Sequence, residues 1–104
     1  MLFRSQSDVK YDFIVHPSAN ADQVAIRYEG AEGLKIKNGE LLLMTSVGEV
    51  VLQRPYAYQT INGQEKPVTC RFKLKDGILR FDLPSGYDHT STLVIDPKIG
   101  RAHV

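Results

Sequence analysis

The sequence has no tryptophan and only one cysteine, Cys70, in 104 residues. A lone cysteine cannot close an internal disulfide, so the fold must be held by side-chain packing, and the redox compartment stays open. Cys70 lies in the alternating run Val68, Cys70, Phe72, Leu74, where a small apolar side chain faces a core. A nucleophilic thiol would need a histidine base beside it, and the local sequence supplies none. Long apolar runs are missing too: none approaches the roughly 18 residues that span a bilayer. Residues 1–4 are too short for a secretory leader. Neither charge dominates, with 13 basic and 12 acidic residues interleaved, so no basic stripe exists to gather phosphates, and nucleic acid is not an expected partner. Helical periodicity is also scarce. No segment longer than about ten residues keeps apolar side chains at i, i+3, i+4 and i+7 without a Gly or Pro, leaving a single turn around Asn20 to Gln23 as the helical candidate. No internal repeat of about 20 to 50 residues stands out, which argues against a solenoid or a propeller within this chain.

Strand periodicity fills that space. Tyr11, Phe13 and Val15 share one face, and Val24, Ile26 and Tyr28 repeat the pattern. Leu34 and Ile36 alternate with Lys35 and Lys37, and Leu79, Phe81 and Leu83 alternate with Arg80 and Asp82. Between such runs stand Asn38-Gly39, Asn62-Gly63 and Asp76-Gly77. A type I′ turn needs φ > 0 at both central residues, which Asn or Asp followed by Gly tolerates best, so each pair predicts a hairpin. Further reversals are expected at Ser46-Val47-Gly48 and, more loosely, at residues 30–33. Pro55, Pro67, Pro84 and Pro97 are expected to bound strands, because proline cannot donate to a ladder. The expected fold is all-β: an antiparallel β-meander of about eight or nine short strands forming a twisted sheet or two-layer sandwich. A chain this long can bury roughly two thirds of its unfolded surface in one domain.

Reactive groups do not converge in the sequence. His16, His89 and His103 lack zinc-like spacing, and no D-x-D-x-D-G calcium loop occurs, so neither a metal nor another cofactor is expected. Ser18 with His16 and Asp22, or Ser85 with Asp88 and His89, offer the residue types of a hydrolytic triad without a nucleophile-elbow sequence. Glu29 with Glu32, and Asp82 with Asp88, flank turns where solvated acids are common. The expectation is no catalytic residue and no enzyme. Tyrosine is the more informative group: Tyr56 and Tyr58 fall on one strand face and Tyr87 in a later loop. Rings on a rigid sheet can stack on sugars while their hydroxyls add hydrogen bonds, so Tyr56, Tyr58 and Tyr87 are the candidate ligand-binding residues; packing at a sheet edge is the alternative.

Six segments form an ordered set: residues 11–19 (YDFIVHPSA), 28–31 (YEGA), 48–50 (GEV) with 55–59 (PYAYQ), 86–88 (GYD) and 93–97 (LVIDP). The set resembles the bacterial domain of unknown function that precedes SBBP (seven-bladed β-propeller) repeats in large secreted proteins. The resemblance covers about residues 10–97 and departs at Ser18, where that family usually has Gly. It implies an extracellular or cell-surface β-rich module that serves as a stalk, cap or adhesive platform, with downstream propeller repeats as its partner in the parent chain. It carries over no catalytic residues.

Residues 1–97 are accordingly expected to be one β-rich domain cut from a longer chain. Residues 99–104 match the translation of ATC GGA AGA GCA CAC GTC, a stretch of a common sequencing-library adapter, so residues 98–104 are expected to be a non-native tail. Open sheet edges left by truncation would favour self-association. Three functions follow in order: a non-catalytic structural or adhesive module, a carbohydrate-binding module using the tyrosines with glycans as partners, and, distantly, a polysaccharide hydrolase.

Overall fold

A computed structural model describes the backbone of residues 2–7, 10–97 and 99–103 and the side chains of residues 12–97. The expected side-chain position of Tyr11, and any role for the side chain of His103, lie outside the described residues. In chain order the strands are β1 (Leu2–Ser7), β2 (Lys10–Val15), β3 (Gly33–Lys37), β4 (Glu40–Thr45), β5 (Gly48–Leu52), β6 (Tyr56–Ile61), β7 (Gln64–Val68), β8 (Arg71–Lys75), β9 (Ile78–Asp82), β10 (Leu93–Asp96) and β11 (Ile99–His103). All pairings among them are antiparallel, and the all-β expectation holds. β1 and β11 lie beyond the sequence stretches read as strands and carry the number past eight or nine.

The turns form where the sequence places them. Asn38 and Gly39 have φ of 54° and 81°, Asn62 and Gly63 of 53° and 78°, and Asp76 and Gly77 of 53° and 76°. These left-handed pairs match the twist of the strands they join, closing β3–β4, β6–β7 and β8–β9. The β4–β5 reversal follows as Thr45 pairs with Gly48, and the Thr45 hydroxyl donates to the Gly48 carbonyl at 2.8 Å. Ala21–Gln23 forms the expected single helical turn, of the 3₁₀ type, capped by Asn20, whose side chain accepts from the Asp22 amide at 3.0 Å. Ser18 sits in a turn closed by the Ala19 amide on the His16 carbonyl at 2.9 Å, and its φ is not positive, so a side chain replaces Gly there without strain.

Two local expectations are corrected. Val24, Ile26 and Tyr28 form no strand: Ile26 makes one two-bond bridge to Leu79, with both N–H···O distances 2.9 Å, before Gly30 (φ 77°) turns the chain away. Pro67 lies inside β7 instead of at its end, paired opposite Tyr58. It is tolerated because β7 is an outermost strand of its sheet, where one side of the backbone has no neighbour to receive a donor.

Three sheets result, ordered β1-β2-β10-β6-β7, β11-β5-β4-β3 and β8-β9. Neighbours within a sheet are consecutive in sequence except around β10, which inserts between β2 and β6, and β11, which pairs with β5; both tie distant parts of the chain together. One core joins the three sheets: Phe13, Val15, Ala57, Leu93 and Ile95 from the first, Leu41 and Leu52 from the second, Phe72, Leu79 and Phe81 from the hairpin. Phe81 bridges the layers, its ring centroid 5.7 Å from Phe13 and 5.8 Å from Phe72 in tilted contacts. Each fully buried Leu or Ile here contributes about 1.5–3 kcal/mol of transfer free energy.

Candidate functional site

The alternation that buries Ala57 and Gln59 of β6 and Leu93 and Ile95 of β10 turns Tyr56, Tyr58, Thr60, Val94 and Asp96 to the opposite, outer face of the five-stranded sheet. There Tyr56 and Tyr58 stack, centroids 5.5 Å apart with 29° between the rings. The Tyr56 hydroxyl donates to Glu65 Oε2 on β7 at 2.6 Å, and that hydrogen bond raises its pKa above the usual phenol value. Burial is the main cause of the raised pKa of Tyr58, with the carboxylates of Glu65, Asp12 and Asp96 acting in the same direction. The two rings therefore stand in an acidic surround.

Next to Tyr58 the sheet face dips into an open groove of about 470 Å³, lined by Pro17, Tyr58, Thr60, Thr90, Ser91 and Thr92 and floored by Val94. Its far wall is held by Gln59, which is only 3% exposed. Gln59 Nε2 donates to the carbonyls of Asp88 (2.6 Å) and Ser91 (3.2 Å), while its Oε1 accepts from the Asp88 amide at 3.1 Å. Asp88 in turn accepts from the Thr90 hydroxyl at 2.6 Å and the Thr90 amide at 2.9 Å, and these bonds lower its pKa. Sequence reasoning passed over Gln59 and the hydroxyl residues. A polar side chain in register with Ala57 on a core-facing period was the available signal for Gln59.

Tyr87 is placed apart from the other two candidate tyrosines. It packs against the core, its hydroxyl accepts from the Ala21 amide at 3.2 Å, and its ring stacks on His89 at 4.2 Å. Among the described residues, no side-chain hydrogen bond links Ser18, His16 and Asp22, or Ser85, Asp88 and His89. Asp88 is engaged by Thr90, His89 by the Tyr87 ring, and the backbone of exposed His16 by its own turn. Of the paired acids, Asp82 accepts from Arg71 Nε at 2.9 Å, a bond separate from that of Asp88, while Glu29 and Glu32 line an open surface depression with Arg27 and Tyr28. Burial pushes the Cys70 thiol up to about 12, with Asp82 adding to the effect, so it stays protonated at neutral pH. Among the described residues, no group of three or more His, Cys, Asp or Glu side chains is arranged to hold a metal ion. No helix among them is long and apolar enough to cross a membrane.

Fold and face together define an antiparallel all-β module with three sheets around one core and a tyrosine- and hydroxyl-bearing outer surface. The chain belongs to the family described as a domain of unknown function (DUF7948), whose profile matches residues 1–98. Searches of curated proteins and of solved structures returned no match.

Proposed function

We propose that this domain is a non-catalytic structural or adhesive module of a bacterial secreted or cell-surface protein, standing before β-propeller repeats. The observation that carries this reading is the single core shared by all three sheets, which makes one stiff body out of hairpins that close through tight type I′ turns. Its extents of 45 × 26 × 24 Å suit a spacer or cap. The LVIDP segment supplies β10, the strand that locks β2 to β6, and ends at buried Pro97, where the resemblance expects the next unit of the parent chain to follow. A second copy would pair at an outermost strand, and of these β3 and β7 carry lysine side chains that discourage it.

Reading the parent gene tests the setting: a secretory leader upstream and propeller repeats downstream are expected, and a cytosolic enzyme context would overturn it. Expressing the parent protein with and without residues 10–97 tests the role. Loss of the module should make the following segment more sensitive to protease and lower its surface display, and an unchanged protein would refute a structural role. A second reading, carbohydrate binding, is favoured by the Tyr56–Tyr58 stack on the outer sheet face.

A further inference from the structure

We infer that the groove beside Tyr58 is a binding site for a neutral glycan chain, an inference that rests on the carbohydrate-binding reading and moves its centre from the tyrosine stack to the groove. Three separate parts of the chain build it: Pro17 after β2, Tyr58 and Thr60 on β6, and the segment that carries Thr90, Ser91 and Thr92 into Val94 of β10. Register brings them together, because Val94 pairs with Ile14 on one side and Tyr58 on the other. The volume of about 470 Å³ falls within the roughly 300–1,000 Å³ of small-ligand clefts.

The lining chemistry selects the ligand. None of these seven side chains carries a charge at neutral pH, and five of them carry a hydroxyl. Hydroxyls both donate and accept, as sugar hydroxyls do, while the Thr methyls, Pro17 and the Tyr58 ring offer apolar contact for the C–H faces of a pyranose. The Thr90 hydroxyl spends its proton on Asp88, which leaves its oxygen as an acceptor aligned by that bond. Glu65, Asp12 and Asp96 act on Tyr58 with the same sign of charge, so uronic-acid or sulfated chains would be repelled. Three hydrogen bonds at buried Gln59, two donated and one accepted, fix the wall before any ligand arrives, which reduces the ordering cost of binding.

Affinity electrophoresis of the full chain through gels containing hydroxyethyl cellulose or galactomannan, against gels containing polygalacturonate or dextran sulfate, tests the assignment. Retardation by at least one neutral polymer and by neither anionic one is expected. Thr60→Arg and Thr92→Arg fill the groove from exposed positions and should each weaken retardation by about tenfold or more, with the far-UV spectrum and melting temperature unchanged. If both variants bind as wild type while Tyr56→Ala does not, the groove assignment fails and the tyrosine stack is the site. Equal retardation by anionic polymers overturns the selectivity, and no retardation by any polymer overturns the groove and the carbohydrate reading together.

Discussion

Replacing Gln59 should unfasten the loop at residues 88–91 more than any other single polar change in the described core. Gln59→Leu keeps the side-chain size but strands the Asp88 and Ser91 carbonyls and the Asp88 amide, which now sit 2.6, 3.2 and 3.1 Å from its amide atoms. A net hydrogen bond contributes about 0.5–1.5 kcal/mol, and these groups are only part-buried, so water can replace some of what is lost; a destabilisation of about 2–4 kcal/mol follows. At about 4–8 °C per kcal/mol for a domain of this size, the melting temperature should fall by at least about 8 °C. Gln59→Glu separates hydrogen bonding from shape. Its carboxylate would face the two carbonyl oxygens, so the folded protein would hold the group protonated, with a folded pKa above the unfolded value of about 4.3. The folded state then binds the extra proton between those two values, and stability falls as pH rises through them. Urea unfolding followed by far-UV circular dichroism should place Gln59→Glu near wild type at about pH 4 and well below it at about pH 7. A loss under about 1 kcal/mol for Gln59→Leu, or a Gln59→Glu deficit equal at both pH values, would refute the clamp.

Gly39→Ala should cost about 2 kcal/mol, more than Gly77→Ala. Both positions have positive φ, but a Cβ at Gly39 would lie 2.5 Å from Arg54 Nε and displace its hydrogen bond to the Asn38 carbonyl, while nothing lies within 4 Å at Gly77. Equal costs in thermal unfolding would remove Arg54 from the turn. Cys70 should resist iodoacetamide at pH 8 in the folded protein and react once urea unfolds it; because its folded pKa of about 12 exceeds the unfolded value, the stability linked to it is complete below about pH 9 and is lost as pH rises from there. Fast alkylation without denaturant would contradict that burial. Pro67→Thr restores a backbone donor on the outermost strand β7 and should raise self-association in size-exclusion chromatography at high concentration. An elution profile identical to wild type would show that proline does not guard that edge.

What the sequence made legible was local. Asn38-Gly39, Asn62-Gly63 and Asp76-Gly77 predict hairpins because the φ > 0 requirement is met or broken within two residues, and all three turns form. The segment from Val24 to Tyr28 alternates as a strand does, yet alternation says only which side chains turn inward; a ladder also needs a partner lying alongside, and β9 meets this segment at Ile26 alone. Pro67 was misplaced for a related reason, since whether proline may sit within a strand depends on that strand's being outermost, a property of the assembled sheet.

The same distinction separates the tyrosines from the groove. Tyr56 and Tyr58 share a face by period two, which any reading of β6 can see, but period two is silent about Tyr87, whose loop folds back to the core side where Ala21 and His89 engage it. The groove required β10 to enter between β2 and β6, a long-range pairing that no dipeptide encodes, and only then do Pro17, Thr60 and Thr92 become neighbours. Gln59 links the two scales. A single amide that the alternation turns toward the core had to find partners there, and the partners it found are the backbone groups that hold the hydroxyl-bearing loop against the sheet. Any ligand of this face is thus recognised through surface residues whose positions are set from the buried side, so perturbing the inner face at Gln59 should change binding on the outer one.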